Sequence, residues 1–221
     1  MNTLIDVLYE DNHLLVVNKP SGLLTQPSGT EQDSLEQRAK EWIKVTYQKP
    51  GNVFLEAVHR LDKPASGIIV FGRTSKALSR LNESIRDKKT VKTYLALVEG
   101  RPPKESGELE NYMVHDDYHA QIVSKSYPQA KIARLSYKTV KQFNDRTLLE
   151  INLETGRYHQ IRLQLAEIGC PIIGDTKYGA KVLYTGSGIA LHHGRLQFPH
   201  PVKQEIMTIE APLPADFNKL L

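Results

Sequence analysis

Apolar positions recur along the chain with two periods, and the change from one period to the other marks its elements. Ile5-Asp6-Val7-Leu8-Tyr9 and Leu14-Leu15-Val16-Val17 flank the polar turn Glu10-Asp11-Asn12-His13 and predict an opening hairpin. Asn18-Lys19-Pro20-Ser21-Gly22 interrupts the pattern and predicts a loop with Lys19 pointing outward. Leu35, Ala39, Trp42, Ile43 and Thr46 then recur at helical intervals, with Ser34 and Gln37 at capping-box spacing. That helix should stop at Pro50-Gly51, with Trp42 on its apolar stripe as a core anchor. Two apolar runs follow, Val53 to Val58 and Ile68 to Phe71, each reading as a buried strand. The stretch between them, His59-Arg60-Leu61-Asp62-Lys63-Pro64-Ala65-Ser66-Gly67, is too charged for a core. Pro64 fixes its own φ and biases Lys63 away from the helical region, and Ser66-Gly67 supplies a turn. Asp62 is thus expected in a short, stiff loop. Such a loop suits either a reactive group or a polar turn with a weak Arg60–Asp62 ion pair.

Downstream, Thr74 or Ser75 caps a second amphipathic helix with the stripe Ala77-Leu78-Leu81-Ile85. Val91 to Val98 reads as a strand carrying Tyr94. The middle, Gly107 to Val140, reads as short strands and loops, ending in a hairpin of Ala133 to Phe143 with Thr147 to Leu153 around Asn144-Asp145-Arg146. After the turn Thr155-Gly156 comes a helix with Ile161, Leu165 and Ile168 buried, stopped by Gly169. Arg162 falls at the edge of its buried face. A Gly/Pro-rich loop, Cys170 to Gly179, precedes late strands over Ile189 to Phe198 and Gln204 to Ile209. The sum is one compact α+β unit, residues 1–221, with a mixed, mostly antiparallel β-sheet flanked by helices and loops.

Composition narrows the function classes. With 40% apolar and 24% charged residues the chain reads as an ordinary globular protein. No apolar run approaches a membrane span, the N-terminus lacks the basic start of a signal peptide, and one cysteine permits no internal disulfide; a cytoplasmic setting fits. The net charge of +4 is uneven. Arg73 to Lys92 holds seven basic residues against Glu83 and Asp87, and Gln121 to Lys141 holds five with no acid. Localised positive charge of this kind suits a polyanion, although a solvated basic face reads the same way in sequence. Gly174 to Lys181 fails as a phosphate loop because Ala180 stands at the lysine position. Gly186-Ser187-Gly188 fails as a dinucleotide site because Leu191 stands where glycine is needed. His115 and His119, with Asp116 and Asp117 between them, could face a metal only from a helix, which the segment does not resemble, so no metal site and no cofactor is expected.

Five blocks in order carry a resemblance: His59-Arg60-Leu61-Asp62 with Ser66-Gly67; Lys92-Thr93-Tyr94; Thr155-Gly156-Arg157-Tyr158-His159-Gln160-Ile161-Arg162-Leu163-Gln164; Ile168 to Asp175 with Tyr178-Gly179; and Leu191-His192 with Phe198-Pro199-His200-Pro201. With the opening Asp11 to Leu24, this set closely resembles the RluA-type RNA pseudouridine synthases over nearly the whole chain. The resemblance implies one catalytic domain of the pseudouridine synthase fold, with an active-site cleft across the sheet. It implies isomerisation of uridine to pseudouridine in structured RNA, ribosomal or transfer, with a base flipped from its stack. Asp62 matches the family's nucleophile, Arg162 the arginine that pairs with it, and Tyr94 the tyrosine set against the target base. Arg60 matches a residue that fills the gap left by the flipped nucleotide. His59, Lys19, Arg157, His159, Gln160, Lys88 and Lys89 are the further candidates for RNA contact. The family's usual threonine before Ser-Gly is Ala65 here, and Tyr158 and His193 replace smaller residues. The sequence is expected to leave no room for the RNA-binding domain that precedes many larger relatives, and recognition is then expected to rest on the catalytic domain, with a monomer as the default. The rival reading is a non-catalytic RNA-binding or RNA-chaperone protein on the same fold, which would not need Asp62, Tyr94 and Arg162 together.

Overall fold

The head of the chain folds as its spacing predicts, with β1 (Asp6–Glu10) and β2 (Leu14–Lys19) paired antiparallel. The computed structural model describes residues 5–29, 32–116 and 118–221. Two units are distinguished, Met1–Thr90 with His193–Pro214 and Val91–His192 with Ala215–Leu221.

In the first unit β2 pairs along β4 (Ser66–Gly72), and β4 neighbours β10 (Leu191–Pro199), which in turn pairs with β11 (Ile206–Glu210). Leu14, Val16, Ile68, Val70, Leu196, Phe198 and Ile209 form one core cluster with Leu81. The helices α1 (Leu35–Thr46) and α2 (Ser75–Arg86) start where predicted. Ser34 Oγ accepts from the Gln37 N–H and Thr74 Oγ1 from the Ala77 N–H, satisfying donors that the helix itself cannot. Leu35, Ala39 and Ile43 are buried as expected, but Trp42 is only half-buried and meets Tyr47 edge-on.

Two expectations here need correction. The run Val53 to Val58 yields only the two-residue strand β3 (Glu56–Ala57), and Phe54 is 42% exposed. The reason lies in β4: β2 takes one edge along most of its length and β10 lies on its other side, which leaves β3 only Phe71 and Gly72 to pair with. The turn before β4 also falls earlier than predicted, at Lys63-Pro64, closed by the Ala65 N–H to the Asp62 carbonyl at 3.0 Å. Ser66-Gly67 instead opens the strand. Gly67 has φ +117 and a Cβ there would run into the His193 backbone, so this position requires glycine on two counts.

In the second unit β5 (Val91–Glu99), β9 (Arg146–Leu153), β8 (Lys131–Gln142), β6 (Ser106–His115) and β7 (Ala120–Val123) lie side by side in that order, antiparallel throughout. The β8–β9 hairpin matches its prediction. The middle of the chain does not: β6 and β8 are long strands, not short ones. Their solvent-facing positions carry Glu108, Glu110, Lys131 and Lys138, which hid the strand pattern. His115 and His119 flank a hairpin turn, where the Asp116 carboxylate accepts from the N–H groups of Tyr118 and His119; Asp117 lies outside the described residues. The helices α3 (Gln160–Glu167) and α4 (Ala215–Asn218) complete this unit, and Gly169 at φ +76 follows α3. The α+β class and the mostly antiparallel pairing stand as expected.

Asp11 ties the opening hairpin to the far end of its unit. Its Oδ1 accepts from the N–H groups of His13 and Leu14 at 2.7 and 2.8 Å, and its Oδ2 from Tyr9 and His200 Nε2 at 3.1 and 2.8 Å. Partial burial works against the charged carboxylate, but these donors outweigh it and hold its pKa below the usual value. Asp11→Ala is therefore expected to cost about 2 kcal/mol in urea unfolding at pH 7. Because the folded pKa is the lower one, this stabilisation is present above the unfolded pKa and fades as pH falls through the folded value. The gap between wild type and variant should therefore narrow in acid; a gap that stayed constant would remove the charge from the account.

Candidate active-site residues

In the first unit Asp62 is half-exposed on a loop that is fastened on both sides. Upstream, Thr25 Oγ1 donates to the Leu61 carbonyl at 3.0 Å and accepts from the Leu61 N–H at 3.1 Å. Downstream, the Lys63 carbonyl accepts from the Gly22 N–H at 2.8 Å and from Lys19 Nζ at 3.3 Å. Lys19 also donates to the carbonyls of Leu23 and Pro20 at 2.7 and 2.9 Å. This corrects the expectation of an outward, RNA-facing lysine: Lys19 is fully buried. The chain reverses over Pro20 to Gly22 and wraps its own carbonyls round the ammonium, matching three donors with three acceptors. Burial pushes the Lys19 pKa down to about 7, and the nearby Asp62 charge offsets part of that fall. Arg60 is exposed, whereas His59 is half-buried, with its Nε2 accepting from the Val70 N–H at 3.4 Å and its ring edge-on to His193. Lys88 and Lys89, past the end of α2, are exposed; Lys89 pairs with Asp87 at 3.0 Å.

In the second unit Tyr94 sits on β5, 5% exposed, opposite Ile151 of β9. Arg162 lies near the start of α3 and is buried. Its Nε and Nη2 donate to Oδ2 and Oδ1 of Asp175 at 2.7 and 2.8 Å, and its Cζ stands 5.1 Å from the centre of the Tyr178 ring. The Tyr178 hydroxyl accepts from the Ala120 N–H at 3.3 Å and lies 2.7 Å from His159 Nδ1. Burial first, then the charges of Arg162 and Lys177, press the His159 pKa down to about 3, so this imidazole stays neutral at neutral pH.

Two of the predicted RNA contacts around α3, His159 and Gln160, need correction, whereas Arg157 is half-exposed. His159 is buried at φ +53 and stacked on Tyr158 at 3.8 Å. Gln160 is buried, with Oε1 accepting from Thr155 Oγ1 and the Arg157 N–H at 2.8 and 3.0 Å and Nε2 donating to the Arg134 carbonyl at 3.0 Å. Arg157 Nε donates to the Ile132 carbonyl at 2.9 Å. Gln160 and the Arg157 Nε stitch the turn before α3 to β8 and His159 meets Tyr178, since buried polar atoms must find partners within the chain. Arg60, Lys88 and Lys89 keep exposed positions. The sequence reading missed Thr25, Asp175 and Tyr178 as supports. One signal could have found Asp175: an arginine beside Ile161 and before Leu165 on a buried face demands a carboxylate.

Comparisons with known proteins identify the family of this chain. The family model for RNA pseudouridylate synthases matches residues 13–167. The chain is 36% identical over 213 residues to the dual-specificity RNA pseudouridine synthase RluA of Haemophilus influenzae, covering 94% of this chain and 92% of that one. It is 33% identical over 229 residues to the ribosomal large subunit pseudouridine synthase C of Buchnera aphidicola, covering all of this chain and 71% of that one. In fold, it is similar to the human RNA pseudouridylate synthase domain containing 4, with a TM-score of 0.82 at 24% identity over 96% of this chain and 90% of that one. The chain therefore belongs to the RluA-type RNA pseudouridine synthases, which isomerise uridine to pseudouridine in RNA.

Proposed function

We propose that this enzyme modifies a uridine in a structured ribosomal or transfer RNA stem-loop, in the cytoplasm and as a monomer, with Asp62 as its nucleophile. The observation that carries the reading is the fastening of the Asp62 loop. Thr25 holds Leu61 before the aspartate, while Lys19 and Gly22 hold Lys63 after it. A side chain that only closes a polar turn has no need of a buried ammonium beneath it, whereas a nucleophile gains from a pre-set position. Membership of the family disfavours the non-catalytic RNA-binding alternative.

In the reaction the bond from ribose C1′ to uracil N1 breaks, the base turns, and C1′ bonds to C5. The C5 proton leaves and N1 gains one. Asp62 attacks either the anomeric carbon or the uracil ring, and for either it must be ionised. Arg162 serves as the cation that favours the carboxylate, and Tyr94 as the ring placed against the base. The glycosidic bond is unreachable inside a helix, so the uridine is flipped out, with exposed Arg60 filling the gap. Lys88 and Lys89 contribute phosphate contacts.

Tritium release from RNA labelled at uracil C5 tests the chemistry. Asp62→Asn is expected to lose about three orders of magnitude or more in turnover. An absence of release by the wild-type enzyme, on RNA from cells lacking the modification, would sink the proposal. Lys88→Gln with Lys89→Gln should weaken RNA binding and flatten the slope of log affinity against log salt by about 1 to 2. An unchanged slope would return that patch to an ordinary solvated surface.

A further inference from the structure

We propose that Asp175 is a positioning residue for Arg162, holding the guanidinium in one plane and one direction on a flat support formed by Tyr178. The inference rests on the proposed role of Arg162 and adds to it the group that acts through it.

Geometry comes first. Asp175 gives Oδ2 to Arg162 Nε and Oδ1 to Nη2, a fork-to-fork pair at 2.7 and 2.8 Å. Such a pair fixes orientation as well as distance, because both partners are planar and both bonds must be made at once. Arg162 and Asp175 are 4% and 1% exposed, so neither end is loosened by water. The Tyr178 ring lies under the guanidinium and is itself fixed through its hydroxyl, which bonds to the Ala120 N–H and His159 Nδ1. The arginine is thus restrained in its plane by a carboxylate and across it by a ring.

Energetics point the same way. A buried ion pair is a poor device for stability, since the two desolvation penalties consume most of the attraction. The loop around Asp175 does not need the carboxylate. Its backbone closes through the Asp175 N–H to the Ile172 carbonyl, and through the Tyr178 and Ala180 N–H groups to the Asp175 carbonyl. Both side-chain oxygens face Arg162 instead. An arginine left to its own rotamers would spread over several positions, and a cation misplaced by about 1 Å can cost on the order of 100-fold in rate.

The test is single-turnover tritium release on C5-labelled RNA, with RNA affinity measured in parallel, for wild type, Arg162→Ala, Asp175→Asn, Asp175→Glu and the Arg162→Ala/Asp175→Asn double variant. Arg162→Ala reports first on the arginine. If it turns over like wild type, the arginine's proposed role fails and takes this inference with it. With that role standing, Asp175→Asn should slow the chemical step by about 100-fold while affinity stays within about threefold. In the Arg162→Ala background the same substitution should cost nothing further, because a residue that acts through the arginine has nothing left to act on. Wild-type turnover by Asp175→Asn, or losses that simply multiply in the double variant, would overturn the proposal while leaving Arg162 in place. Should Asp175→Asn fail to fold, Asp175→Glu decides, since it keeps the charge but carries it one methylene farther. A drop of about tenfold or more at unchanged affinity supports the positioning role; wild-type turnover overturns it.

Discussion

The ammonium of Lys19 is the contact on which the position of the Asp62 loop depends. It sits at the end of β2, fully buried, and joins the carbonyls of Pro20 and Leu23 to that of Lys63. Take it away and three carbonyls face inward with one donor fewer each, in a place where burial makes an unmet acceptor costly. The strand that presents Lys19 is itself held by β4, where Lys19 pairs with Gly67, so sheet register and loop position are set together. A one-residue slip of β2 would turn the lysine to the opposite face and release the Asp62 loop.

Each unit buries a basic side chain, with opposite electrical consequences. Lys19 is bonded to neutral carbonyls, and burial draws its pKa down to about 7 although the nearby Asp62 charge offsets part of the fall. Arg162 is met by a full carboxylate and remains a cation, as a guanidinium does in any protein setting. The first arrangement suits a scaffold group, which need only hold oxygen atoms in place. The second holds a charged group in one orientation.

Much of the chain was legible in order. Helix caps at Ser34 and Thr74, the turn at Asp11, the β8–β9 hairpin and the glycine stop at Gly169 are local features, decided within a few residues. The Asp62 loop was legible too, because Pro64 and the charges around it rule out core. The RNA-facing set was less so. Arg60, Lys88 and Lys89 are exposed, but Lys19, His159 and Gln160 are buried in work of their own. In sequence, a polar residue near an active-site motif looks the same whether it binds a ligand or satisfies the backbone of a turn.

The sequence by itself determined most of the elements, the class of fold and the family, since periodicity, capping and motif spacing are written in neighbouring residues. Tertiary structure decided the rest. Whether Val53 to Val58 became a strand depended on which edge of β4 was open. Whether Lys19 faced solvent depended on where the carbonyls of Leu23 and Lys63 came to lie. That Arg162 found Asp175, thirteen residues on, depended on the path of the intervening loop. Partners of a buried charge are chosen by proximity in space, and a one-dimensional pattern records only that such a partner is needed.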